Sequence, residues 1–264
     1  MGKLPSASTL ETELSSLIGS RLPKPAGTTA GHAAGLPFED LIHGKLTSSI
    51  PNRVLRQFEA LNSVLLANPR SKSYEDRLKL LGPNALQFLL KRGKDAMTSW
   101  TPNNQFEVKQ DDTAESIIFA QDKIDFESSN VILLDVKTQD TSKKAQAPNI
   151  ISSDKLARAA VMSIQDGNCP FDIFYAGVKW HLEKSEMVCE EVRVISLMKI
   201  PPEEIYINFV AAQQIQFHPF QVNQTFTGDR NEWCRDYVAT FCSQLERRLA
   251  KELARLNEFR NAIS

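Results

Sequence analysis

Hydrophobic and polar positions divide the chain into a helical opening, a strand-rich middle and a helical close. Residues 9–18 fit a short helix. Residues 20–35 are rich in Pro, Gly, Ser and Thr, carry few apolar anchors and read as a long loop that is mobile or pinned by a partner. A helix is expected from Pro37, with Phe38, Leu41 and Ile42 on one face, because proline suits the first helical turn. Residues 52–67 repeat the pattern through Val54, Leu55, Phe58, Leu61 and Leu65. Two shorter helices are predicted over 73–81 and 84–91. Strands are predicted over 116–120, 131–138, 171–176, 186–198 and 204–210, with Gly177 splitting 171–182 into two strands or marking a bulge. A helix over 153–165 lies among them, capped by Ser152 or Ser153. From Arg230, apolar residues recur at spacings of four and three through Trp233, Tyr237, Phe241, Leu245, Leu249, Leu253 and Leu256, so a long helix closes the chain, with a stripe suited to core or to a dimer face. The order implies an α/β protein: a mixed β-sheet flanked by helices, in one domain over residues 1–264.

Composition narrows the class without naming a partner. The chain is 42% hydrophobic and 24% charged, ordinary for a globular protein. A net charge of −1 does not advertise a nucleic-acid binder, so any DNA-facing surface must arise from local segregation of charge. Lys91-Arg92-Gly93-Lys94 is one basic knot, and Lys143 and Lys144 are another. Arg247, Arg248, Lys251 and Arg255 on the last helix are diluted by Glu246, Glu252 and Glu258 and read as a solvated face. Cys169, Cys189, Cys234 and Cys242 show no zinc spacing, which suits a reduced cytoplasmic protein. No secretory signal and no membrane-spanning stretch is expected. The motifs of serine hydrolases, P-loop enzymes, dinucleotide oxidoreductases and zincins are missing.

The chemistry concentrates between residues 111 and 137. Asp111-Asp112-Thr113-Ala114-Glu115 runs into an apolar stretch, and Val131-Ile132-Leu133-Leu134 runs into Asp135-Val136-Lys137. Side chains alternate along a strand, so Asp135 and Lys137 point the same way. A second acid can arrive from the neighbouring strand of a hairpin-like pair. Two carboxylates can hold a divalent metal by hard oxygen ligands, and a lysine beside them can steady or help deprotonate a water that attacks phosphorus. The bland alternative is a strand end carrying a surface ion pair, worth little energetically. Against it, charges are rare beside four consecutive apolar strand residues unless they are partnered.

Downstream, Ala145-Gln146-Ala147-Pro148-Asn149 offers two amides beside a stiff proline, as either a DNA-facing loop or an ordinary turn. Tyr206 and Asn208 share a face of a strand, which could read base edges or be merely half exposed. Gln213, Gln214, Gln216 and His218 alternate with Ile215 and Phe217, placing glutamines on a wet side or a subunit contact. His218, His32 and His43 lack ligand spacing and read as structural; no chemistry is argued for His181.

Taken together, these strings resemble one family. Gly31-His32-Ala33-Ala34-Gly35, Pro37-Phe38-Glu39, Arg92-Gly93-Lys94, Lys109-Gln110, Asp112-Thr113-Ala114, Leu133-Leu134-Asp135-Val136-Lys137-Thr138, Ala145-Gln146-Ala147-Pro148-Asn149-Ile150-Ile151-Ser152, Ile205-Tyr206-Ile207-Asn208 and Gln214-Ile215-Gln216-Phe217-His218 occur in the order of the HincII/HindII type II restriction endonucleases. The resemblance implies a homodimeric, magnesium-dependent enzyme with a restriction-endonuclease-like PD-(D/E)XK core. Such an enzyme cuts double-stranded DNA at a short palindrome of the GTYRAC type, leaves blunt ends with 5′-phosphates, and works in the bacterial cytoplasm beside a protecting methyltransferase. By motif, Asp135 and Lys137 match the catalytic acid and lysine. Gln146 matches an intercalating glutamine, and Asn149, Tyr206 and Asn208 match base-contacting residues. Lys94 and Gln110 match positions near the DNA, and residues 20–35 are expected to contact it. The family's first metal-binding acid closes N-D-T-A-D; here the string is D-D-T-A-E, so Glu115 takes that place, with Asp112 as the fallback ligand. The spacer between the acids is also longer here, which reads as a longer turn away from the site. A DNA-binding protein on the same fold with impaired cleavage is the alternative this departure leaves.

Overall fold

In the computed structural model, residues 3–25, 35–67, 76, 78–91, 114–120, 130–144, 147–209 and 213–263 are described, with side chains of 64–67 left aside. Helix α1 (Ala7–Leu14) leads through a short 3-10 turn to strand β1 (Arg21–Pro23). Helix α2 (Gly35–Ser49), strand β2 (Val54–Leu55), helix α3 (Gln57–Ala67) and helix α4 (Asn84–Leu90) follow. Strands β3 (Ser116–Phe119), β4 (Val131–Asp140) and β5 (Asn149–Ser152) precede helix α5 (Ser153–Gln165). Strands β6 (Phe171–Glu183), β7 (Glu186–Ser196), β8 (Tyr206–Asn208) and β9 (Gln214–Gln216) lead to helix α6 (Arg230–Ala262). None of the described helices is long and apolar enough to cross a membrane.

Six strands form one sheet in the order β1-β7-β6-β4-β3-β2, and three form a second in the order β5-β9-β8. β4 and β6 run parallel while their outer neighbours pair antiparallel, so the large sheet is mixed. The expected α/β fold, a mixed sheet flanked by helices with a long closing helix, is therefore present. Parallel strands need covering on both faces, and the alternation along β4 supplies two cores. Leu133, Ile173 and Tyr175 face a layer that includes α4, α5, α6 and the small sheet. Ile132, Leu134, Val136 and Phe174 face α1 and α2.

Three expectations need correction. Val54 and Leu55 belong to β2, paired with Ile118 and Ile117, rather than to the helix; their apolar spacing merges with that of α3, which hides the break. β6 runs unbroken through Gly177, and the irregularity in its pairing falls between Lys179 and Trp180. Gly177 is there for another reason: a Cβ at that position would stand 2.8 Å from Pro219 Cβ and 3.1 Å from the Phe220 ring. The segment leaving β9 crosses the sheet at this point, and only glycine admits the approach.

The long loop expected over 20–35 is partly strand: β1 extends the sheet edge by pairing with β7, and residues 26–34 lie outside the described set, as does much of the helix expected over 73–81. Caps define the helix starts. The Ser152 side chain accepts from the Lys155 amide at α5. Asp229 and Glu232 form a reciprocal capping box at α6. α6 is then pinned by Trp233 Nε1 donating to the Ile200 carbonyl at 2.8 Å and Tyr237 Oη donating to the Ser153 carbonyl at 3.1 Å.

Candidate functional site

The apolar run of β4 carries Asp135 to within the sheet, where it is only 7% exposed, and the strand's alternation places Lys137 on the same face. The Lys137 ammonium donates to Asp135 Oδ2 at 2.6 Å. A buried charge needs such a partner. Glu115 immediately precedes β3. The pairing Ser116↔Leu134, continued by one residue, sets Glu115 beside Asp135, as a hairpin-like arrangement of the two acids requires. Burial acts to lower the Lys137 pKa, but the charges of Asp135, then Glu115 and Glu39, outweigh it, and the net shift is upward. Lys137 is thus held as an ammonium among carboxylates from three elements: β4, the approach to β3, and α2.

Buried residues with no local sequence signal fix this cluster. Gln57 is fully buried at the start of α3; its Oε1 accepts from the Ala114 amide at 3.1 Å and its Nε2 donates to the Leu90 carbonyl at 2.9 Å. One side chain therefore clamps the backbone next to Glu115. Ser116, on the other side of Glu115, has its hydroxyl 2.9 Å from His43 Nδ1. Tyr175 stands opposite Asp135 in the parallel register, and its pKa is raised far, first by burial and then by the charge of Asp135. Tyr175 is consequently a neutral wall beside the acid. None of these signals could be read from spacing, because each partner is distant in sequence.

The second constellation is the small sheet. Asn149 opens β5 with its side chain exposed, and Tyr206, 62% exposed, shares a face of β8 with Asn208 while Ile207 turns inward. Between them lies Gln216 of β9, opposite both Asn149 and Tyr206 in register. Gln216 Nε2 donates to Asn149 Oδ1 at 2.8 Å, and Asn208 Nδ2 donates to Gln216 Oε1 at 3.3 Å. Of this run, Gln213 is exposed and Gln214 and Gln216 are half-buried. Beside Tyr206, an open groove of about 400 Å³ is lined by Arg247, Arg248 and Lys251 of α6 and by Glu203 and Glu204. These cations form part of a groove wall rather than only a solvated face.

The two constellations touch. Phe217, next after Gln216, packs edge-on against Tyr175 with ring centroids 5.7 Å apart. Two residues on, Pro219 rests over Gly177, which is the register partner of Lys137. Lys94, Gln110, Asp112 and Gln146 lie outside the described residues.

Magnesium takes oxygen ligands, keeps several waters and needs only one or two carboxylates. Asp135 and Glu115 fit that requirement as a pair; among the described residues, no group of three or more metal-ligating side chains gathers. Asp135 and Lys137 on β4, Glu115 at the entry to β3 and a neighbouring sheet with exposed amides make up the candidate site, and the class is an α/β protein with a mixed sheet carrying a carboxylate–lysine cluster.

Comparison with known proteins fixes the family. The model of the family described as Restriction endonuclease HincII matches residues 14–261. The chain is 42% identical over 234 residues to the type II restriction enzyme HindII of Haemophilus influenzae strain Rd, covering 88% of each protein. It is equally 42% identical over 234 residues to the type II restriction enzyme HincII of Haemophilus influenzae, with 88% of each covered. The chain belongs to the HincII restriction endonuclease family.

Proposed function

We propose that this chain is a type II site-specific deoxyribonuclease, one endonuclease domain that hydrolyses phosphodiester bonds of double-stranded DNA at a GTYRAC-type palindrome. The observation that carries the reading is the Lys137–Asp135 pair at 2.6 Å, with Glu115 brought alongside by the β3–β4 pairing. Asp135 and Glu115 would hold magnesium, which when bound supplies Lewis-acid stabilisation of charge developing on the phosphate. Lys137, kept as an ammonium, orients the attacking water and balances the growing negative charge. Water adds across the P–O3′ bond: its oxygen joins phosphorus, the 3′ oxygen leaves and takes up a proton, and the product end carries a 5′-phosphate. Asn149, Tyr206 and Asn208 would read bases, Gln146 would wedge into the stack at the edge of the site, and Lys94 and Gln110 would lie along the DNA.

A palindrome asks for two-fold symmetry, so two copies act together, one on each strand; cutting at the centre of the palindrome, as the family resemblance implies, leaves blunt ends. A methyltransferase of the same specificity would protect the host. Glutamate in the place of the family's aspartate is the one observation that favours a binding protein with impaired cleavage, and the intact Asp135–Lys137 pair weighs against it. Incubation of the purified protein with plasmid and magnesium, followed by sequencing of the ends, tests both. Blunt cuts at a GTYRAC-type site are expected, and specific binding with no cutting would support the alternative.

A further inference from the structure

We propose that the last part of α6 joins two copies of this chain: it pairs antiparallel with the same segment of a second copy, about a two-fold axis at Leu253. This contact rests on the reading that two copies act together on a palindrome, and it names the surface that holds them.

The apolar stripe of α6 serves two surfaces. From Trp233 it advances in five successive steps of four residues, through Tyr237, Phe241, Leu245 and Leu249 to Leu253. Four residues overshoot one helical turn by about 40°, so the stripe winds roughly 200° around the helix over those steps. It begins against the body of the protein, where Trp233 and Tyr237 are fully buried and Gln244 Nε2 donates to the Ile205 carbonyl at 3.0 Å. It ends in solvent. Leu249, Leu253, Leu256 and Ile263 are 44–89% exposed, and every residue from 253 to 263 is exposed. An isolated helix this short is marginal in water and draws its stability from packing an apolar face. A continuous row of exposed leucines marks a contact surface.

The flanking charges select the occupant. Glu246, Leu253 and Arg260 follow one another at intervals of seven residues, two helical turns, and share one side of α6. An acid before Leu253 and a base at the same interval after it make that side self-complementary. Turned antiparallel about Leu253, each Glu246 meets the partner's Arg260, Leu253 meets its own counterpart, and Leu249 lies near the partner's Leu256. An isologous two-fold contact requires a surface of this kind. Parallel helices would instead set like charges together. Arg248 pairs with Glu252 of its own helix, whereas no ion pair among the described residues engages Glu246 or Arg260. A phosphate backbone calls for cations and polar donors and would leave the leucines unused. The helix also leaves the body beside the amide sheet, since Gln244, Arg247 and Lys251 line the groove next to Tyr206. An axis at Leu253 keeps the two small sheets near each other, as reading both halves of a short palindrome demands.

Sedimentation equilibrium of the full chain, alone and on a GTYRAC-type duplex without magnesium, measures the dimer dissociation constant for wild type, Leu253→Asp, Glu246→Arg, Arg260→Glu and Glu246→Arg/Arg260→Glu. The wild type should be dimeric. Leu253→Asp sets two carboxylates together on the axis and should be monomeric. Each single swap turns two attractive pairs into two repulsive ones and should weaken the dimer roughly tenfold or more. The double swap exchanges both partners and should return the constant to within about threefold of wild type, which a folding defect would not allow. If the wild type is monomeric both alone and on the duplex, the two-copy reading fails and this contact with it. If the wild type dimerises but Leu253→Asp and the single swaps do so equally well, or the double swap does not recover what the single swaps lose, two copies stand and the α6 contact is overturned.

Discussion

β4 is ten residues long and holds its charged pair against a fully packed sheet, whereas the amides of β5, β8 and β9 sit on strands of three or four residues with one face in solvent. The contrast fits the role proposed for each. A carboxylate–ammonium pair gains strength as water is removed, because the effective dielectric falls, and Asp135 at 7% exposure sits where that gain is available. Base readers must exchange their hydrogen bonds with water for bonds to DNA, so they have to be reachable, and neutral amides tolerate that exposure. One region relies on charge and rigidity, the other on accessible groups whose direction is fixed by neighbours.

The largest effect should come from breaking the charged region. Asp135→Ala and Lys137→Ala should each abolish cleavage, since one removes a metal ligand and the other the cation that positions water. Specific DNA binding should survive in both, because the amides stand on a different sheet. A gel-shift beside a plasmid assay decides this, and substantial magnesium-dependent cutting by either variant would sink the assignment.

Glu115 comes next. Glu115→Ala should be inactive, whereas Glu115→Asp should retain measurable activity, because the family places aspartate there. Asp112→Ala provides the counter-test: if it is dead while Glu115→Ala cuts normally, the acids have been aligned wrongly.

The amide region should yield smaller, graded losses. A good bidentate contact is worth on the order of 1–3 kcal/mol. Asn149→Ala or Asn208→Ala should thus weaken specific binding roughly tenfold or more while phosphate contacts preserve non-specific binding. Titration of cognate against scrambled duplex at fixed salt measures the ratio, and equal weakening on both would remove these residues from base reading.

How much of this could be read from the sequence depends on the range of the interactions. β4 was legible because an apolar run followed by Asp135-Val136-Lys137 is a local signal, and α6 was legible because its stripe recurs over many turns. Tyr206 and Asn208 sharing a face follows from strand alternation alone. Gln57 was not legible, since its bonds to Leu90 and Ala114 span 33 and 57 residues and nothing near it announces them. Gln216 belonged to a visible polar run, but its link to Asn149, 67 residues away, exists only once β5 and β9 pair. The family strings single out Asn149 and Asn208 as candidate base readers without saying what surrounds them.

The smallest expected effect tests the seam between the two regions. Gly177 pairs with Lys137 on one side and admits Pro219 on top, so it belongs at once to the six-stranded sheet and to the path leaving β9. In Gly177→Ala the new methyl would meet Pro219 Cβ at 2.8 Å, and a proline ring cannot rotate aside as the Phe220 ring at 3.1 Å can. The crossing segment has to lift, at an overpacking cost of about 1–3 kcal/mol. At roughly 2–4 °C per kcal/mol for a chain near this size, thermal unfolding should fall by several degrees. Arg193 limits the displacement, because its guanidinium donates to the Phe220 and Val222 carbonyls at 2.7 and 3.2 Å. Lifting Pro219 pulls on Phe217 and hence on Gln216, while Asp135 and Lys137 keep their places within β4. Gly177→Ala should therefore cost some discrimination between cognate and altered sites with little change in the maximal cleavage rate. A variant that cuts far more slowly but discriminates normally would show that the crossing supports the charged pair instead, and that the two regions are less separable than their construction implies.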